Sequence, residues 1–205
     1  MDTSLSGVVA ALRPSVVQVR PGYSGGAGVL LFHGNELVVV TNAHVVRGMP
    51  GERLHILSHR GNIYGARIEQ TDGRRDLALL TISQRPSGGD GDLSPATLAH
   101  ATALRPGQIV LAIGHPFGLT NAVTSGVVHS VGPARWNPER SLRRRGLPWV
   151  QADILLAPGN SGGPLCDIEG RVVGINTMIV GGLALAVPVP EIRALLQGRS
   201  EAIPA

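Results

Sequence analysis

Hydrophobic positions fall in short β-branched runs separated by turn residues, with little of the spacing that marks helices. Residues 4–12 are an exception. Val8, Val9 and Leu12 share one helical face there, and Pro14 stops the helix. Strands are then predicted at Val16–Arg20, Gly28–Phe32, Glu36–Thr41, Leu54–Leu57, Ile63–Ile68 and Leu77–Ile82. Ser83–Pro95 contains Arg85-Pro86-Ser87-Gly88-Gly89-Asp90-Gly91-Asp92, which no core could use, and it reads as a linker. A second set of strands follows at Ile109–Ile113, Val123–Val131, Val150–Ile154, Pro164–Asp167, Val172–Ile175 and Leu183–Val187. Pro190–Gly198 closes as a helix: Pro190 suits its first turn, Ile192, Leu195 and Leu196 form a stripe, and Gly198 suits its cap. The strands divide into residues 1–97, with a linker at about 83–97, and residues 98–205. With no βαβ alternation, this order predicts an all-β pair of barrels or sandwiches.

Composition narrows the function classes. The 28 glycines and 15 prolines make up a fifth of the 205 residues, which suits many tight turns. Hydrophobic residues reach 43% and charged residues only 16%, so the chain buries a core and is not intrinsically disordered. The net charge is +4, and all 18 basic residues are arginines. Arg140, Arg143, Arg144 and Arg145 supply much of the excess, and they read as an exposed loop. Aromatics at 3% leave few stacking platforms, so no nucleic-acid partner is expected. Cys166 is alone, so no intrachain disulfide forms. Met1-Asp2-Thr3-Ser4 lacks a basic leader segment, and Val8–Leu12 is too short for the apolar part of one. No apolar run is long enough to span a membrane. As written the chain is expected to be cytoplasmic, or exported if its true start lies upstream.

Three segments could carry chemistry. Gly159-Asn160-Ser161-Gly162-Gly163-Pro164-Leu165 offers a serine on a tight turn, with bare backbone around it to receive a substrate carbonyl. Val38-Val39-Val40-Thr41-Asn42-Ala43-His44-Val45-Val46 delivers His44 at the end of an apolar strand, with Ala43 leaving room for a general base to approach. Asp72-Gly73-Arg74-Arg75-Asp76-Leu77-Ala78 places Asp76 at the entry of an apolar strand, where a carboxylate needs a partner such as an imidazole N–H. Asp72 competes for that role but falls in the more polar turn, where it caps. Two other sites are weaker. Cys166 lies past the glycine turn in a strand and reads as a buried, inert thiol. His55 and His59 lack a helical face and an acidic partner, so no metal is expected.

Taken together, Thr41–Val46, Arg75–Leu80 and Gly159–Pro164 resemble the trypsin-like serine proteases, in the chain order His, Asp, Ser of the chymotrypsin-type double barrel. Ala112-Ile113-Gly114-His115-Pro116-Phe117-Gly118, Val123–Val128, Gln151–Asp153, Gly174–Thr177 and Ala186–Pro188 make the HtrA/DegP branch the nearer likeness. It runs from about residue 5 to residue 198. The resemblance implies two six-stranded antiparallel barrels with short terminal helices. It implies Ser161 as nucleophile, His44 as general base, Asp76 as orienting carboxylate, and the N–H groups of Gly159 and Ser161 as the oxyanion hole. No cofactor is needed.

The same likeness places a substrate pocket at Leu155 and Leu156, walled by Ile175, Asn176 and Thr177 and by Ala184, Leu185 and Ala186. None of these is acidic, so a buried Lys or Arg would be disfavoured and a small or medium aliphatic residue is expected at the cleavage position. Leu183-Ala184-Leu185 departs from the glycine- and Phe-containing pattern of the family there. Only Arg199–Ala205 follow the last helix, so a PDZ domain is not expected within this chain. A trimer is implied by resemblance only. The implied activity is endoproteolysis of unfolded or exposed polypeptide segments, in quality control or regulation. The alternative is a catalytically silent peptide-binding or chaperone-like module on the same fold.

Overall fold

The computed structural model describes residues 4–20, 25–48, 54–84, 92–100, 104–119, 121–133 and 147–198. The arginine run at 140–145 and linker residues 85–91 lie outside the described residues. A helix α1 (Leu5–Leu12) precedes the first set of strands. These are β1 (Val16–Arg20), β2 (Gly26–His33), β3 (Glu36–Thr41), β4 (Leu54–Leu57), β5 (Ile63–Asp72) and β6 (Leu77–Gln84). The second set is β7 (Ile109–Gly114), β8 (Ala122–Pro133), β9 (Pro148–Asp153), β10 (Pro164–Asp167), β11 (Val172–Val180) and β12 (Leu183–Pro188), followed by α2 (Val189–Gln197). Each set closes into its own antiparallel barrel, in the orders β1-β2-β3-β6-β5-β4 and β10-β11-β12-β9-β8-β7. Closure removes the free sheet edges that two open sandwiches would leave.

Three clusters make the core. Val17, Val19, Leu30, Val39, Ile56, Tyr64 and Leu80 fill the first barrel. Val110, Ala112, Val128, Ile154, Leu156, Leu165 and Ala184 fill the second. A third layer lies between the barrels and under both helices, with Val29, Leu31, Val38, Val40, Leu79, Ile113, Ile175, Leu185, Ile192 and Leu195. Side-chain alternation explains the division, because Val38 and Val40 face the shared layer while Val39 faces the first barrel's interior. Both faces of β3 are therefore buried, which is why its sequence reads as an unbroken valine run.

The expected linker differs in one respect. Asp92 is 4% exposed. Its carboxylate accepts the hydroxyls of Ser58 and Tyr64 and the Asn62 side-chain amide. Burial works against its charge, but those donors outweigh it and hold the carboxyl below its ordinary value. Downstream, the Ser94 N–H donates to the Pro14 carbonyl and the Ala96 N–H to Leu30, while the Thr97 carbonyl accepts from Val172 of the second barrel. The end of the segment is thus stitched to both barrels. The physical reason is a buried acceptor serving three donors, which polarity alone makes look like loop. Several strands also run past their expected ends, β5 to Asp72 and β11 to Val180 among them.

Candidate active site

The first barrel fixes His44 and Asp76. His44 sits in a short 3₁₀ turn, Ala43–Val46, directly after β3. Asp76 closes the turn between β5 and β6, with a left-handed backbone at φ +56° that costs a non-glycine residue about 1–2 kcal/mol. Hydrogen bonds hold it there. Its Oδ2 lies 2.7 Å from His44 Nδ1, and its Oδ1 accepts the His44 N–H at 3.0 Å. Its carbonyl accepts the Ala43 N–H at 3.1 Å and Asn42 Nδ2 at 2.9 Å. A carboxylate can only accept, so Nδ1 carries the imidazole proton and Nε2 is left basic. Asp76 is 1% exposed while the His44 side chain is 35% exposed, so the buried carboxylate backs a ring that reaches solvent. Asp72 caps the preceding turn through the N–H groups of Arg74 and Arg75. Arg75 then joins Asp72 to Glu191 at the start of α2.

Ser161 comes from the second barrel on a turn between β9 and β10. Gly159 and Gly162 adopt φ of +105° and +84°, which side-chain-bearing residues avoid. A Cβ on Gly162 would lie 2.1 Å from the Ala27 carbonyl oxygen, and one on Gly159 would lie 2.3 Å from that of His115. The turn is held by backbone. Gly163 N–H donates to the Asn160 carbonyl, Gly162 N–H to Asn176, and the Asn176 N–H returns to Gly163. The N–H groups of Gly159 and Ser161 have no partner among the described residues. Two unpaired donors beside a serine hydroxyl suit a developing oxyanion.

The barrels meet at these residues. The Ala27 N–H donates to the Ser161 carbonyl at 2.8 Å. A Cβ on Gly26 would lie 2.7 Å from both that carbonyl oxygen and Val45 Cγ2, next to His44. Asn42, fully buried, divides its amide between the Asp76 carbonyl and Thr177 Oγ1 at 3.0 Å. The Ser161 hydroxyl donates to the Thr177 carbonyl at 3.1 Å, and among the described residues no hydrogen bond joins it to His44. The bridging role of Asn42 was not read from the sequence. Its signal was a polar pair, Thr41-Asn42, closing an otherwise apolar strand.

The side chains of the residues expected to line the pocket face different ways. Leu156, Ala184 and Ala186 point into the second barrel, whereas Ile175 and Leu185 point into the layer between the barrels. Strand alternation makes this unavoidable, since Leu185 sits between Ala184 and Ala186 on β12. Leu155 is 75% exposed, and Phe117 and Leu119 stand exposed on the neighbouring loop. Asn176 holds the serine turn and bonds the Pro164 carbonyl through its side chain. Thr177 Oγ1 donates to the Ile175 carbonyl. Cys166 is buried, and burial pushes its thiol far above the ordinary range. Among the described residues no three metal-ligating side chains converge, and no helix is long and apolar enough to cross a membrane.

Known proteins resemble the chain in sequence and fold. The trypsin-like peptidase domain matches residues 26–175. Serine protease HTRA1 of Xenopus laevis is 34% identical across 94% of this chain, which spans 42% of that relative's length. Human serine protease HTRA3 is 33% identical across 94% of the chain and 44% of its own length. The solved HtrA-type protease AlgW with a decapeptide superposes with a TM-score of 0.81 at 25% identity, covering 97% of this chain and 68% of its own. The chain belongs to the trypsin-like peptidases and, within them, is similar to the HtrA serine proteases.

Proposed function

We propose that the chain is a serine endopeptidase in which Ser161 is the nucleophile, His44 the general base and Asp76 the orienting carboxylate. The observation that carries this reading is the 2.7 Å bond from His44 Nδ1 to a buried carboxylate, set across the cleft from a serine on a glycine turn. In the resting geometry the Ser161 hydroxyl serves the Thr177 carbonyl. Catalysis requires it to turn about χ1 toward His44 Nε2, which takes the proton as Oγ adds to the scissile carbonyl. The Gly159 and Ser161 N–H groups receive the oxyanion. The imidazolium, stabilised by Asp76, returns its proton to the leaving amine and leaves an acyl-enzyme for water to hydrolyse.

The substrate is a polypeptide, a reading supported by the decapeptide bound to the similar protease. Unfolded or exposed segments suit it best, because an extended, accessible chain can reach the place where His44 and Ser161 meet. None of the residues expected to line the pocket is acidic, so cleavage after Lys or Arg is disfavoured. Covalent labelling by a fluorophosphonate tests the nucleophile. Labelling lost in Ser161→Ala supports the peptidase; no labelling of the unaltered chain under any condition supports a silent peptide-binding module instead.

A further inference from the structure

The Pro158–Gly159 turn rests on the loop that follows β7. A Cβ on Gly114 would lie 2.4 Å from Asn160 Oδ1, and one on Gly163 would lie 2.3 Å from the Ile113 carbonyl oxygen. Two hydrogen bonds fix the turn. The Phe117 N–H donates to the Pro158 carbonyl and the His115 N–H to the Gly159 carbonyl, each at 3.1 Å. Pro158 C=O and Gly159 N–H belong to one planar trans peptide, so holding the carbonyl outward aims the N–H the other way, toward the hole. The bond from Gly163 N–H to the Asn160 carbonyl does the same for the Ser161 N–H.

The supporting loop is itself strained. Phe117, Gly118 and Asn121 have φ of +52°, +81° and +55°, and two of these residues carry a Cβ. What closes the loop is a side chain. The Asn121 N–H donates to His115 Nδ1 at 3.3 Å, so the end of the loop is tied to its beginning. His115 is buried, and its Nε2 has no hydrogen-bond partner among the described residues. Among the described residues Arg20 of β1 is the charged group facing it, and the Val17 backbone, which favours a proton on the ring, is outweighed. Burial and that guanidinium both oppose an imidazolium here.

Resting on the peptidase reading above, we propose that His115 is a positioning residue for the oxyanion hole. Its neutral imidazole accepts the Asn121 N–H, keeps the strained loop closed, and so keeps the Phe117 and His115 N–H groups on the two carbonyls of the turn. The ring touches no substrate. Protonation at Nδ1 turns the acceptor into a donor, breaks the bond to Asn121 and releases the turn.

The test compares His115→Leu, which removes the acceptor, with His115→Asn, whose Oδ1 can stand where Nδ1 stands. With a quenched fluorescent peptide, His115→Leu is expected to lower kcat roughly tenfold or more, short of the ~10²–10³ typical of losing an oxyanion donor outright. KM should move less than about twofold, since the donors act on the transition state, and His115→Asn should restore most of the rate. Amide hydrogen exchange at Gly159 and Ser161 should quicken in His115→Leu only. Equal rates and equal exchange in the two variants would overturn the proposal. If His115→Leu fails to fold, the unaltered chain and His115→Asn are titrated from pH 7 to 4 by NMR. A Gly159 amide shift that follows the His115 imidazole and is absent in His115→Asn supports the clasp, and no shift in the unaltered chain overturns it. An unaltered chain that cleaves nothing, yet shows the exchange difference, removes the peptidase reading and leaves the clasp.

Discussion

The two halves of the site are built from different materials. On the first barrel, His44 and Asp76 are fixed largely by side chains, with the Asp76 carboxylate taking both the ring and the backbone N–H of His44. On the second, Ser161 is fixed by main chain: glycine turns, carbonyls held by N–H groups, and almost no side-chain bonds. The difference follows from the chemistry that each half can perform. A base needs one ring orientation and one tautomer, which a carboxylate specifies. An oxyanion hole built from backbone N–H groups needs them bare, which a glycine turn at close approach supplies. Substitutions should therefore harm the halves differently, through lost partners on one side and through added atoms on the other.

The sharpest break on the side-chain half is Asp76→Asn. It keeps the shape but offers an amide where the ring must donate, and kcat is expected to fall about 10⁴-fold with folding largely retained. Steady-state kinetics beside circular dichroism check this, and a loss below tenfold would refute the assigned tautomer. On the backbone half the matching break is Gly162→Ala, set against Gly34→Ala. Both glycines have positive φ and so share a strain of about 1–2 kcal/mol. The new Cβ at 162 meets the Ala27 carbonyl at 2.1 Å, whereas at 34 it meets nothing within 4 Å. Gly162→Ala should lose most folded protein, and Gly34→Ala only a few degrees of Tm. Similar melting of the two would mean that the close approach of the barrels is soft.

Asn42→Ala probes the bridge between the halves. It removes the donor to the Asp76 carbonyl and to Thr177 Oγ1, both buried, at a cost of about 1–3 kcal/mol in stability. Double-mutant analysis with Thr177→Val should show coupling, and strict additivity would argue against a bridge.

The last effect is graded by pH. Burial, with Arg20 behind it, pulls the His115 imidazole down to about 4 from an ordinary 6.5. The folded state therefore holds it neutral while the unfolded chain takes up a proton near 6.5. The stability this contributes is fully present above pH 6.5 and drains as pH falls toward about 4, by about 3 kcal/mol in all. Urea unfolding at pH 7 and 4.5 should show His115→Asn losing less than the unaltered chain.

Much of this was legible in the sequence because it is local. The twelve strands announce themselves by β-branched runs, and His44, Asp76 and Ser161 each stand in a segment whose neighbours suit the chemistry. Asp92 was misread for the opposite reason. Its neighbours are turn residues, and its three donors come from a hairpin about thirty residues earlier in the chain. The division of Leu185 from Ala184 and Ala186 was not legible as a partition of side chains, because adjacency along β12 does not mean a shared face.

The sequence by itself determined an all-β chain of two strand sets, the triad candidates and the glycine turn, since periodicity and turn chemistry act over a few residues. Only the family likeness pointed to barrels rather than sandwiches. Tertiary structure decided what depends on close approach. It made Asn42 a bridge, tied Asp92 to the first barrel, divided Leu185 from Ala184 and Ala186, and laid the Gly159–Ser161 turn on the loop that begins at His115. Those outcomes rest on hydrogen bonds and packing between segments far apart in the chain, and only the closed barrels bring those segments within reach.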